Sequence, residues 1–224
     1  KERLKYNLDF YLDTSIPDSV KFESTLTPNN FKITKWGKTD LQKINSDFIY
    51  TPYEYGKPMR NITIGPSNPN FTRLDEISPN FKNALLTSED PSFFRHKGFV
   101  EESIRKSIAV NFKEKRFKRG GSTISMQLVK NVYLSRQKTL ARKVEEILIV
   151  WLIENNKLIS KQRMLEVYFN IIEMGQNVYG IGEASRHYFS KSPSELTIGE
   201  GIFLANIVPK PKAALYKFMS NGSL

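Results

Sequence analysis

Leu140-Ala141-Arg142-Lys143-Val144-Glu145-Glu146-Ile147-Leu148-Ile149-Val150-Trp151-Leu152-Ile153 is the stretch on which the fold class turns. Leu140, Val144, Ile147, Leu148 and Trp151 fall on one helical stripe. Ile149, Leu152 and Ile153 carry that stripe around the helix, so the spacing predicts a helix buried on most sides. Downstream, Met164, Leu165, Tyr168 and Phe169 mark another helix, entered at Ser160. Thr197-Ile198-Gly199-Glu200 is a capping-box pattern for a last helix running through Ile202, Phe203 and Ala205 to Val208, stopped by Pro209 and Pro211. Upstream, apolar spacing predicts helices over 100–112 and 122–133. Residues 71–224 therefore read as a mainly helical domain.

The chain before it has a different texture. Leu4, Tyr6, Leu8, Phe10 and Leu12 alternate with Lys5, Asn7, Asp9, Tyr11 and Asp13, a period of two that reads as a half-buried strand. Val20, Phe22, Ser24 and Leu26 repeat it after a turn at Ile16-Pro17-Asp18, and Phe31-Lys32-Ile33 adds a third strand. Residues 1–70 are expected to form a small antiparallel β module, with Gly65-Pro66-Ser67-Asn68-Pro69-Asn70 as linker. The whole is α+β with most of its mass in helices. Nothing in the first 70 residues presents chemistry.

Charge is unevenly placed. The 224 residues carry a net charge of +11, and the segment 105–143 holds 12 basic residues against one acidic residue, Glu114, so it accounts for the whole excess. A local cationic patch implies an anionic partner such as nucleic acid, a phosphorylated lipid or a pyrophosphate. The absence of cysteine excludes disulfides, thiolate metal sites and Cys nucleophiles. No run reaches the roughly 18–20 apolar residues of a membrane-spanning helix.

Three stretches bear chemistry. Glu89-Asp90 stands between Ala84-Leu85-Leu86 and Phe93-Phe94. A carboxylate at the edge of an apolar cleft has its charged form destabilised, which suits general acid/base work. The plainer reading is a helix C-terminus with a solvated acidic pair, and residue types alone favour it. Gly120-Gly121-Ser122-Thr123 follows the basic run 113–119 and opens a helix, so backbone N–H groups and hydroxyls stand ready for a phosphate. A flexible loop with an ordinary Ser or Thr cap competes evenly. In the third, Arg142 and Glu146 are four residues apart and pair on one helix face. That is an ordinary surface pair unless the face lines a cleft, where Glu146 becomes a second carboxylate. His96 and His187, the only histidines, have no metal-ligand partner at usual spacing, so no metal site is expected. Gly180-Ile181-Gly182-Glu183 lacks the third glycine of a dinucleotide loop and is set aside.

Order and spacing add what single motifs lack. Residues 89–98 resemble Glu-Asp-x-x-Phe-x-x-His-x-Gly, and residues 120–131 resemble Gly-Gly-Ser-Thr-Ile-x-Gln-Gln-x-x-Lys-Asn. Residues 142–146 fit Arg-Lys-x-x-Glu, residues 161–170 resemble Lys-x-Arg-Ile-Leu-Glu-x-Tyr-Leu-Asn, and Val178-Tyr179-Gly180-Ile181 and Tyr188-Phe189-Ser190-Lys191 follow. Together, over about residues 74–212, the chain resembles the peptidoglycan glycosyltransferases of glycosyltransferase family 51. The resemblance implies a lysozyme-like helical domain that polymerises lipid II into β-1,4-linked glycan strands at the outer face of the bacterial cytoplasmic membrane, releasing undecaprenyl diphosphate.

Carried over by position, the resemblance makes Glu89 the general base and Glu146 the second catalytic carboxylate. It assigns substrate binding to Asp90, Gly121, Ser122, Thr123, Gln127, Lys130, Lys138 and Arg142. No cofactor is required, although the diphosphate leaves room for a divalent cation, Mg or Mn. The implied partners are lipid II, the growing glycan strand and an anionic membrane surface facing the basic-aromatic loop at 112–119. Nucleic acid is not among them, and residues 1–70 are left to dock cell-wall synthesis proteins. Met126 stands where the family has a glutamine, Lys138 where arginine is common, and Val100 where aspartate is usual. The family's membrane anchor is absent from these residues. The competing readings are a lysozyme-like peptidoglycan-cleaving enzyme, a nucleic-acid-binding protein using the basic patch, and a weakly catalytic member that only holds lipid-linked precursor.

Overall fold

The computed structural model describes residues 3–29, 39–116, 118, 120–134 and 140–213. The predicted third strand at 31–33 and the site residue Lys138 lie outside the described residues. The fold is mainly α, with small antiparallel two-stranded elements.

Strand β1 (Arg3–Tyr11) pairs with β2 (Lys21–Asn29), the two alternating segments expected to be strands. The register sets Tyr6 opposite Leu26, Leu8 opposite Ser24 and Phe10 opposite Phe22, so one face of the hairpin is apolar. Short pieces follow: β3 (Phe48–Tyr50), β4 (Tyr53–Glu54), β5 (Lys57–Pro58) and β6 (Ile62–Ile64). β3 pairs with β6, while β4 and β5 form a tight hairpin turned at Tyr55-Gly56.

Helices α1 (Pro79–Glu89), α2 (Glu101–Lys113), α3 (Ile124–Tyr133), α4 (Leu140–Asn155) and α5 (Lys161–Ile171) come next. The short β7 (Glu173–Gly175) and β8 (Val178–Tyr179) lead into α6 (Gly180–Phe189), and α7 (Ile198–Ile207) closes the fold. Predicted starts hold where a side chain caps the helix. The Ser160 side chain accepts from Arg163 N–H, and Thr197 and Glu200 form the reciprocal capping box. Helix α6 occupies the Gly180–Glu183 stretch that resembled a weak nucleotide loop.

The core wraps α5, whose Met164, Leu165 and every residue from 167 to 171 are buried. Phe81 of α1 meets Phe169 at 5.3 Å between ring centroids. Leu41, Ile44, Tyr50, Ile62 and Ile64 belong to this same core. Arg163 clamps them, its Nε donating to Ile44 O at 2.6 Å and its Nη2 to Ser46 O at 3.1 Å. The change of texture near residue 70 thus marks a change of secondary structure, whereas residues 41–64 share the helical core. The β1–β2 hairpin stands apart from that core and leans on α2, Ser24 N–H donating to Glu101 Oε1 at 3.0 Å.

Helix α4 departs from the expected burial. Ile149, Val150 and Ile153 enter the core, but Val144 is 50% exposed and Leu148 37%. Glu146 shares the inward face with Ile149, Val150 and Ile153, buried beside Lys143 and Arg142, and the Val144–Leu148 side faces outward. The helix therefore has two apolar faces, one in the core and one looking away from it.

Candidate active site

Glu89 is the last residue of α1, and Asp90 caps the helix with its N–H donating to Leu86 O at 2.9 Å. Pro91 prevents continuation. The two carboxylates then part. Asp90 is only 3% exposed and accepts from His96 Nε2 at 2.9 Å and from Ile124 N–H at 3.0 Å. Gly98 N–H donates to His96 Nδ1 at 2.9 Å, which leaves the ring proton on Nε2, facing Asp90. The acidic pair is therefore not the solvated pair of the plainer reading. Asp90 ties the end of α1 to the start of α3, and half-buried Glu89 is left facing α3.

There it meets Gln127. The Gln127 amide donates to Glu89 Oε2 at 2.9 Å and accepts from the Tyr168 hydroxyl at 3.0 Å. Burial, then the charges of Glu89 and Asp90, push the Tyr168 hydroxyl far above the ordinary phenol range, so it stays a donor. Sequence reading placed Tyr168 only in the core. Its motif position carried the signal for this second duty.

The glycine-rich turn behaves differently from a phosphate cradle built on helix N–H groups. Thr123, buried, donates through Oγ1 to Gly98 O at 2.6 Å and accepts from Met126 N–H at 3.2 Å. With Ile124 N–H given to Asp90, two amides of the first turn are already engaged by protein. Gly121 is required by packing, since a Cβ there would lie 3.0 Å from the Ile104 Cα of α2. Of the two hydroxyl residues in this turn, Ser122 is exposed and Thr123 is buried.

Glu146 is 1% exposed, accepting from Lys143 Nζ at 2.5 Å and from Arg142 Nη1 at 3.5 Å. It holds two cations, and Lys143, which sequence reading quoted only within its motif, stands with Ser122 on the wall of a cavity of about 350 Å³. Met126 and the outer α4 residues Ile147 and Trp151 line the same cavity. Gln127 and Lys130 of α3 line a second cavity of about 230 Å³ with Tyr50, Tyr53, Glu173 and Tyr179. Tyr50 and Tyr53 belong to the region read as bare of chemistry. Nothing in their spacing signals the site, because only the fold brings them beside α3. Behind them, buried Glu54 accepts from the Tyr179 hydroxyl at 2.5 Å and from Lys212 Nζ at 2.9 Å. These hydrogen bonds hold its carboxyl below the usual range.

Among the described residues no three His, Asp or Glu side chains cluster as a metal would require. Glu146 has its oxygens facing ammonium and guanidinium. This donor set does not fit a protein-held divalent cation.

α3 thus contributes residues to an apolar cavity that Lys143 also lines and to a polar, tyrosine-lined one, and its Gln127 is hydrogen-bonded to Glu89. The sequence model described as transglycosylase matches residues 55–221. A biosynthetic peptidoglycan transglycosylase of Acinetobacter baylyi is 42% identical over 147 residues, 66% of this chain and 65% of the relative. Proteins of the same name from Methylobacillus flagellatus and Cupriavidus metallidurans are 41% identical over 142 residues and 40% over 147. They are matched over 61% and 62% of their own length, and cover 63% and 66% of this chain. The chain therefore spans just under two thirds of the relatives it matches. With the family match covering most of its length and the ordered motifs converging on one helix, the chain belongs to the transglycosylase family.

Proposed function

We propose that the protein is a peptidoglycan glycosyltransferase that polymerises lipid II with release of undecaprenyl diphosphate. The observation that carries the reading is the hydrogen bond to Glu89 from Gln127, which itself lines the tyrosine-lined polar cavity, while Ser122 and Lys143 line the apolar one. A lipid diphosphate suits the apolar cavity, and a sugar acceptor suits the polar one, because aromatic faces and hydroxyl partners are what a saccharide offers to bind.

In this reading Glu89 takes the proton from the 4-hydroxyl of the acceptor sugar. The oxygen attacks the anomeric carbon of the donor, the new glycosidic C–O bond forms, and the bond to the diphosphate oxygen breaks. The electron pair leaves with undecaprenyl diphosphate, whose growing charge Lys143 and Arg142 stabilise. Glu146 acts through those two cations as a positioning residue. Asp90, Gly121 and Thr123 position the turn that presents Ser122, while Gln127 and Lys130 face the acceptor. A hydrolase or lytic enzyme needs no cationic diphosphate site, and the relatives' name is a biosynthetic one.

Incubation with lipid II in detergent tests the proposal. Glycan ladders with undecaprenyl diphosphate released alongside are expected. Binding of lipid II without polymer, or shortening of preformed glycan, would contradict it.

A further inference from the structure

We propose that the β1–β2 hairpin is the outer wall of a site for the prenyl chain of a lipid diphosphate, a proposal that rests on the donor reading above. The cavity of about 350 Å³ is closed by Tyr6, Phe22 and Leu26 of the hairpin against α2 on one side and Ile147 and Trp151 of α4 on the other. These hairpin residues precede the family match at 55–221, so this wall is additional to it.

The chemistry of the cavity selects its occupant. Its walls are apolar, and Ser122 and Lys143 contribute a hydroxyl and a cation at one edge. The other polar side chains on it are accounted for by the wall itself. Glu101 accepts the Ser24 N–H, Ser24 Oγ donates to the Tyr6 hydroxyl at 3.2 Å, and Ser107 accepts from Asn111. An apolar chain with an anionic head therefore matches the cavity better than a neutral chain or a free anion. Met126, buried and lining it, is apolar where the resemblance expects glutamine, which extends the apolar wall beside Gln127. An enclosed apolar site of about 150 Å³ holds a six-carbon ring, so about 350 Å³ takes roughly fourteen carbons, close to three five-carbon units. Beyond the cavity, Leu8 and Phe10 continue the same hairpin face and remain half-exposed, a path for the rest of a longer chain.

Calorimetric titration with farnesyl diphosphate, inorganic pyrophosphate and farnesol tests this. Wild-type protein is expected to bind farnesyl diphosphate at least about tenfold more tightly than pyrophosphate or farnesol. Phe22→Asp removes the wall. Ser24→Trp fills the cavity while keeping the backbone N–H that holds Glu101, and so guards against loss of the hairpin fold. Both are expected to bring farnesyl diphosphate within about twofold of pyrophosphate, with pyrophosphate affinity unchanged. Equal affinity of the wild type for the three probes, or farnesyl preference unaltered in both variants, would overturn the proposal. Lipid II polymerisation run in parallel separates the two claims. Polymer without farnesyl preference removes the hairpin site alone, and farnesyl preference without polymer removes the polymerase reading while the site stands.

Discussion

The side-chain amide of Gln127 donates to Glu89 at 2.9 Å, and its orientation is dictated from behind by the Tyr168 hydroxyl at 3.0 Å. The buried phenol keeps its proton and donates it to the Gln127 oxygen, which leaves the NH₂ for Glu89. Tyr168→Phe keeps the packing and removes the constraint. We expect kcat for polymerisation to fall by roughly three- to tenfold with KM nearly unchanged, and Tm to fall by roughly 2–4 °C, consistent with loss of about 1 kcal/mol of hydrogen bonding. A parallel rise in KM would assign Tyr168 to substrate binding instead.

Val100 is the N-cap of α2 and offers no side-chain hydrogen bond to the helix, although Glu101 and Glu102 follow it. Val100→Asp supplies the missing acceptor and should stabilise the fold by about 1 kcal/mol, or roughly 2–4 °C in Tm for a chain of this size. Scanning calorimetry checks it. An unchanged or lowered Tm would mean that the half-buried Val100 side chain contributes more than the cap.

Gly98 has φ of +94°, and a Cβ there would lie 2.4 Å from Val150 Cγ1. Its N–H holds His96 and its carbonyl holds Thr123, so the Asp90–His96 lock and the Ser122 turn depend on one residue. Gly98→Ala is expected to cost about 2–4 kcal/mol of stability and to lower activity out of proportion to the folded fraction. Denaturant unfolding together with activity per folded molecule separates the two effects.

How far these relationships were legible in the sequence depends on distance along the chain. The α5 and α7 caps, the paired alternation of β1 and β2 and the Arg142–Glu146 pair all act over a few residues, and spacing reveals them. Burial of α4 departs from the reading because apolar residues on two faces count as one stripe, and only the tertiary packing decides which face turns inward. The contact of Gln127 with Glu89 spans 38 residues, and Tyr50 reaches the site as part of the shared core. No periodicity encodes either. Of the helix-start amides read as anion donors, Ile124 N–H goes to Asp90 and Met126 N–H to Thr123, and the burial of Asp90 is not encoded in an acidic pair.

Glu54 gives a pH signature. Its carboxyl is held below the ordinary value of 4.5, first by the Tyr179 hydroxyl and then by Lys212. A depressed carboxylate contributes stability above its unfolded pKa and loses it as pH falls through the folded value. Glu54→Gln should therefore lower Tm clearly at pH 7 and by progressively less below about pH 4.5, converging with wild type in acid. A deficit constant from pH 7 to pH 3 would show that shape rather than charge holds Tyr179 and Lys212.

The central claim is that Glu89 takes a proton during glycosyl transfer. Glu89→Gln keeps the volume and leaves Asp90, His96 and the Ser122 turn untouched. Lipid II polymerisation by the variant should fall by roughly 10²–10⁴-fold with lipid II affinity largely retained. Ladders of equal yield and length from both proteins would contradict the account.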